Sequence, residues 1–260
     1  MKKLRAIALA AVFPCLWAAS ASATIVVTDT NDASVLANSI VGSGISISNA
    51  TYSGATTTAS GTFVNGSSSG LGFDTGIVLT TGTTACVPGP NNSSSCSGGG
   101  TTTSLSFDFE ITNGDDSVFF NYVWGSEEYN EYVDSSFNDT FDLLLDGVNI
   151  AQLPNGQDVE IDTVNNGDNS AFFRDNTVLG LDLQYDGLTT VLTASATGLA
   201  AGTHSFQFLV KDAGDSSYDS GVFVSGNTFS TDPTPVPEPS IVALLGLGLL
   251  GIGARKRALR

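Results

Sequence analysis

The stretch Thr103–Ile111, TSLSFDFEI, alternates without a break. Leu105, Phe107, Phe109 and Ile111 fall on one side, with Ser106, Asp108 and Glu110 on the other. A period of two is that of an extended strand with one face in a core and the other in water. Asn113-Gly114, a turn pair, follows it. Working outward, GIVLTTG (Gly76–Gly82), SVFFNYVW (Ser117–Trp124), TFDLLLDG (Thr140–Gly147) and HSFQFLV (His204–Val210) are further short runs of β-branched and aromatic residues. They are set among segments rich in Gly, Ser, Thr, Asn and Asp, and no segment between the chain's two ends shows a helical stripe of useful length. About ten short strands on this pattern predict an all-β fold, a β-sandwich of jelly-roll type, with one core.

The two ends have a different character. Residues 1–23, MKKLRAIALAAVFPCLWAASASA, open with Lys2, Lys3 and Arg5, continue through the apolar run Ala6–Ala19, and offer Ala21-Ser22-Ala23 for cleavage. This is the layout of a secretory signal peptide, and Cys15 is discarded with it. At the other end, Pro237-Glu238-Pro239 abuts an uncharged run, Ser240–Ala254, closed by Arg255, Lys256 and Arg257. The run is short and Gly-rich for a span, and its basic cluster belongs on the cytoplasmic side. Pro-Glu-Pro, an apolar helix and a basic end together resemble the PEP-CTERM sorting signal of Gram-negative bacteria. The resemblance implies transient membrane insertion through the C-terminal helix, cleavage by an exosortase, and delivery to the cell surface or extracellular matrix. The expected organisation is a signal peptide over 1–23, one β domain over 24–230, and a linker with the sorting signal over 231–260.

Removing both ends takes away seven of the nine basic residues but one of the 26 acidic ones. Arg174 and Lys211 then stand against 25 carboxylates, a net charge of −23. Such a surface repels nucleic acid, excluding that partner, and attracts divalent cations. Cys86 and Cys96 flank VPGPNNSSS, a loop of turn-forming residues. In an oxidising compartment they read as a disulfide, with two free thiols as the alternative.

The acids concentrate in two segments. GSEEYNEYVDSSFNDTFDLLLDG (Gly125–Gly147) carries seven carboxylates and no basic residue, and DAGDSSYDSG (Asp212–Gly221) carries Asp212, Asp215 and Asp219. Calcium takes oxygen ligands from carboxylates, amides and carbonyls on shaped loops, and both segments supply them, without EF-hand spacing. The expectation is that the two loops approach each other and bind calcium, with Glu128, Asp139, Asp215 and Asp219 as ligands. The alternative is two solvated acidic turns, since Asp-Gly and Asp-Ser pairs turn well with no metal.

Both segments belong to a longer ordered series: ISISNATYSGA (Ile45–Ala55), FVNGSSSGLGFDTGIVLTTG (Phe63–Gly82), WGSEEYNEYVDSSFNDTFDLLLDG (Trp124–Gly147), YDGLTTVL (Tyr185–Leu192) and VKDAGDSSYDSGVFV (Val210–Val224). In that order they resemble the choice-of-anchor L domain of bacterial surface proteins. The resemblance implies a surface address and no enzymatic activity.

Enzyme readings are weaker. His204, the one histidine, sits in a predicted strand. Gly66-Ser67-Ser68-Ser69-Gly70 fits Gly-x-Ser-x-Gly without the strand–turn–helix context that gives the pattern meaning. Chance carboxylate pairs are unavoidable in so acidic a chain, so a polysaccharide hydrolase ranks third. Lys211 is read as a partly exposed lysine paired with Asp212, or as an isopeptide crosslink. Trp124 and Tyr129, beside the acidic loop, are candidates for stacking on sugar rings, or else core residues. The expected role is structural or adhesive in a biofilm exopolysaccharide environment, stabilised by calcium. A carbohydrate-binding module is the runner-up.

Overall fold

The computed structural model describes residues 23–92, 100–112 and 114–236. In chain order they form β1 (Val26–Asp29), helix α1 (Ala33–Ile40), β2 (Ser46–Ser53), β3 (Ser60–Val64), β4 (Gly76–Thr80), β5 (Thr102–Ile111) and β6 (Ser117–Ser126). There follow β7 (Thr140–Leu145), β8 (Val148–Asn149), β9 (Phe173–Asp175), β10 (Gly187–Thr189), β11 (Leu192–Thr197), β12 (Gly202–Lys211) and β13 (Ser220–Ser225). The five runs singled out in the sequence supply β4, β5, β6, β7 and β12, two of them running on into the turn that follows, and the remaining strands are shorter or less apolar.

The strands make two antiparallel sheets packed as a sandwich. One has five strands in the order β2-β5-β12-β7-β8; the other has eight, β1-β3-β4-β13-β6-β10-β9, with β11 also paired to β6. Alternation sets the inner faces. Leu105, Phe107, Phe109 and Ile111 of β5, Phe206, Phe208 and Val210 of β12, and Phe141, Leu143 and Leu145 of β7 point into one core. Val118, Phe120, Tyr122 and Trp124 of β6 and Val222 and Val224 of β13 meet them from the other sheet. Phe229, after β13, closes one side with its ring centroid 5.1 Å from Phe206 and 5.2 Å from Phe109. Each such fully buried phenylalanine contributes about 1.5–3 kcal/mol.

The central strands of the eight-stranded sheet, β4, β13 and most of β6, are buried on both faces. A second cluster, including Phe63, Val78, Val123, Tyr185, Leu188 and Phe223, covers the sheet's outer side. For that reason GIVLT and SVFFNYVW read as nearly continuous apolar runs rather than alternating ones.

One expectation is corrected. A helix does occur in the body of the chain: Asp32 caps α1, its Oδ1 accepting from the Ser34 and Val35 N–H groups at 2.9 and 3.2 Å. Leu36, Ala37 and Ile40 bury its stripe in the main core. The capping aspartate and the i, i+1, i+4 spacing are the signals, short enough to pass for a turn.

Among the described residues no helix is long and apolar enough to cross a membrane. The signal peptide, Cys96 and Pro237-Glu238-Pro239 with its apolar run lie outside the described residues.

Candidate cation site between the sheets

Strand pairing brings four chain segments to one end of the sandwich. Ser126 of β6 pairs Ser220 of β13 in one sheet, and Lys211 of β12 pairs Thr140 of β7 in the other. Glu127 and Glu128 therefore leave β6 where Asp219 enters β13, while Asp212 leaves β12 where Asp139 enters β7.

The period of two then sorts these acids by face. Phe206, Phe208 and Val210 point inward, and Asp212 continues that set; Phe141 and Leu143 point inward, and Asp139 precedes them in phase. Tyr122 and Trp124 of β6 lead through Ser126 to Glu128. Three carboxylates thus enter the gap between the sheets, with relative exposures of 1% for Glu128, 0% for Asp139 and 9% for Asp212. In the opposite phase Val123 leads to Glu127, and Phe223 leads to Asp219, on the outer side of the larger sheet.

Local bonds hold the arrangement. The Ser220 hydroxyl donates to Ser126 Oγ at 2.7 Å, and Ser126 Oγ accepts the Glu128 N–H at 2.9 Å. Asp139 Oδ1 accepts the Ala213 N–H at 2.8 Å, tying the two acidic loops together. The loops also touch through Tyr132 and Tyr218, whose ring centroids are 5.2 Å apart. Phe137 packs on Gly214, where a Cβ would fall 2.8 Å from its ring. Four carboxylate oxygens in the gap have no hydrogen-bond partner: both of Glu128, Oδ2 of Asp139 and Oδ1 of Asp212.

Burial and mutual repulsion raise the proton affinity of these groups. Glu128 is pushed up to about 9, first by burial and then by Asp139, Asp215 and Asp212. Asp139 rises to about 7, again chiefly by burial, with the Ser220 hydroxyl and the Ala213 amide pulling against it. Asp212 rises to about 7 by burial and by the charges of Asp215 and Asp219.

Of the four ligands expected from sequence, the fold groups Glu128, Asp139 and Asp215. Asp215 lies on the exposed rim, its Oδ1 accepting the Ser217 N–H at 2.8 Å. Asp219 is on the other face: its Oδ2 accepts the Thr83 N–H at 3.1 Å. Residue 82 is glycine because a Cβ there would overlap the Asp219 carboxylate. Asp212 takes the inner place instead. Its sequence neighbour Lys211 does not pair with it, because successive strand residues point to opposite faces; Lys211 Nζ donates to Asp142 Oδ2 at 2.6 Å. The signal for Asp212 lay in the alternation of FQFLVKD, carried one residue past the end of β12.

The stacking expectation is also corrected. Trp124 and Tyr129 are both 0% exposed and present no face to a sugar. Trp124 packs on Phe141 in the core, and Tyr129 packs on Phe173 with centroids 4.7 Å apart. His204 keeps the inward phase of Phe206 and Phe208 at the rim of the sandwich, stacking on Phe109 with centroids 5.5 Å apart, its Nδ1 2.7 Å from Asp146 Oδ2 and its Nε2 2.8 Å from the Ala200 carbonyl. Ser67–Ser69 lie in a one-turn helix, and Ser69 Oγ accepts the Ile25 N–H at 2.7 Å.

A sandwich with buried, unpaired acids at one end defines an acidic all-β domain. The chain belongs to the Choice-of-anchor L domain family, whose model matches residues 24–230. The model of the PEP-CTERM protein-sorting motif matches residues 235–258. No curated protein and no solved structure matches the chain. Neither matching family is an enzyme family. The sorting motif is a signal recognised by exosortase, and it implies export and a surface or extracellular location in a Gram-negative bacterium.

Proposed function

We propose that the protein is a structural, adhesive component of the cell surface or exopolysaccharide matrix, and that calcium bound between its two sheets locks the acidic end of the sandwich. The observation that carries this reading is the set of four partnerless carboxylate oxygens on Glu128, Asp139 and Asp212. A buried carboxylate needs a proton or a counter-cation, and leaving it bare costs several kcal/mol. Calcium accepts about six to eight oxygens, so Asp215, backbone carbonyls and water would complete the set. Among the described residues no three acidic, histidine or cysteine side chains are already arranged to hold a metal. The carboxylates share one field while standing apart, and an arriving cation would draw them together. A Cys86–Cys96 bridge is part of the proposal, closing the loop that follows the short 3-10 turn Thr84–Cys86.

The test is the melting temperature of the purified protein at pH 8 in EDTA and in millimolar calcium. At about 100-fold excess over Kd, calcium should raise it by roughly 5–10 °C. Identical melting in the two buffers would remove calcium from the account.

A further inference from the structure

Glu127 and Glu128 are consecutive, yet the strand sends them to opposite faces. Glu128 enters the gap between the sheets. Glu127 lines a separate cleft of about 460 Å³ on the outer side, with Asn91, Glu131, Tyr132, Asp186 and Tyr218 among its walls. Such a volume is that of a small organic ligand rather than a bare ion.

Three features give the cleft its chemistry. It is anionic: Glu127, Glu131 and Asp186 line it, and none of its lining residues is basic. Glu127 is 3% exposed, and its Oε1 has no hydrogen-bond partner. Asp186 is held in place by the Asn91 side-chain amide, which donates to Oδ1 at 2.7 Å. The cleft also has an aromatic corner, where Tyr132 and Tyr218 meet at 53°. Tyr218 occupies this corner with φ 62°, a left-handed backbone that a bulky side chain rarely adopts.

A hard metal ion gains nothing from tyrosine faces. An organic cation gains from both parts: the carboxylates pair with a positive nitrogen, while the tyrosines attract it over their rings and pack against a sugar ring. We propose that this cleft binds a sugar carrying a free primary ammonium, such as a de-N-acetylated amino-sugar unit of a polysaccharide. The ammonium nitrogen pairs with Glu127 and Asp186, and the sugar ring lies against Tyr132 and Tyr218. The site is separate from the proposed calcium site, and either can fail without the other.

Calorimetric titration of the purified protein tests this with a glucosamine tetramer, the same tetramer fully N-acetylated, spermidine, and calcium. The free-amine tetramer should bind, with the acetylated one at least about tenfold weaker, because acetylation removes the charge. Glu127→Gln should lose at least about tenfold in affinity for the free-amine tetramer while its melting temperature in EDTA holds or rises. Glu128→Gln should keep that affinity while losing the calcium response. Should Glu127→Gln fold poorly, Tyr218→Gly suits the left-handed backbone, removes one aromatic wall, and should lose a similar factor. Equal affinity for the two tetramers, wild-type binding by the variants, or no tetramer binding would overturn the proposal. Tighter binding of spermidine than of the tetramer would overturn the sugar assignment, and stoichiometric competition by calcium would assign the cleft to a metal.

Discussion

The outer face of the five-stranded sheet and the gap at the end of the sandwich handle negative charge in opposite ways. On the open face Asp142 meets Lys211 at 2.6 Å, and at the sheet's rim Asp146 meets His204 at 2.7 Å, so the chain supplies its own partners where water reaches. In the gap, Glu128, Asp139 and Asp212 are buried together, and among the described residues no basic side chain pairs with them. Arg174, the other basic residue among those described, donates to carbonyls instead, Nε to Thr189 at 2.8 Å and Nη1 to Gly70 at 2.5 Å. The contrast shows that net charge is a poor guide to where a cation is needed. The need arises where charge is buried and the chain offers nothing to meet it.

Substitutions that separate the faces give the largest expected effects. Phe208→Ala on the inner side of β12 should cost about 3–5 kcal/mol in denaturant unfolding, through lost burial and the cavity left behind. Gln207→Ala, one residue away on the other face, should change stability by less than about 0.5 kcal/mol. Comparable losses at the two positions would break the assignment of faces.

Next in size, Glu128→Gln should hold or raise the melting temperature in EDTA at pH 8, because an ionisable group leaves a buried site while its shape stays. The same variant should lose most of the calcium-dependent increase. A variant that is strongly destabilised in EDTA yet still responds to calcium would place the cation elsewhere. The smallest effect belongs to the open face. Lys211→Ala should cost no more than about 1 kcal/mol and leave the calcium response intact, as expected for a solvent-screened pair. A larger loss would show that this pair does more than neutralise a surface.

Much of this contrast was legible in the residues. TSLSFDFEI and TFDLLLDG reveal their inner and outer faces directly, and FQFLVKD, followed one residue past the strand, points Asp212 inward. The continuous run SVFFNYVW marks a strand covered on both sides, which already argues against an exposed Trp124. Strand register was not legible. The meeting of Glu128 with Asp139 and Asp212 depends on Ser126 pairing Ser220 and Lys211 pairing Thr140, and these are long-range choices made by the whole core. Grouping Asp219 with Glu128 from composition missed the parity that puts them on different faces. The short helix α1 was hidden because about two turns rich in Ser, Ala and Asn resemble the loops around them.

The most direct measurement is the melting temperature across pH 4.5 to 9, with and without calcium, at constant ionic strength. The gap carboxylates bind protons more tightly folded than unfolded. Their stabilising effect in the cation-free protein is therefore complete below about pH 4 and is lost as pH rises through about 7 for Asp139 and Asp212 and about 9 for Glu128. Calcium takes the place of those protons. The two curves should coincide near pH 4.5 and separate as pH rises, the calcium curve keeping only the loss due to buried Glu127, which lies outside the gap and is raised to about 8, and the cation-free curve falling further. A cation-free protein that melts at one temperature across this range, or that loses stability equally with calcium present, would contradict the account.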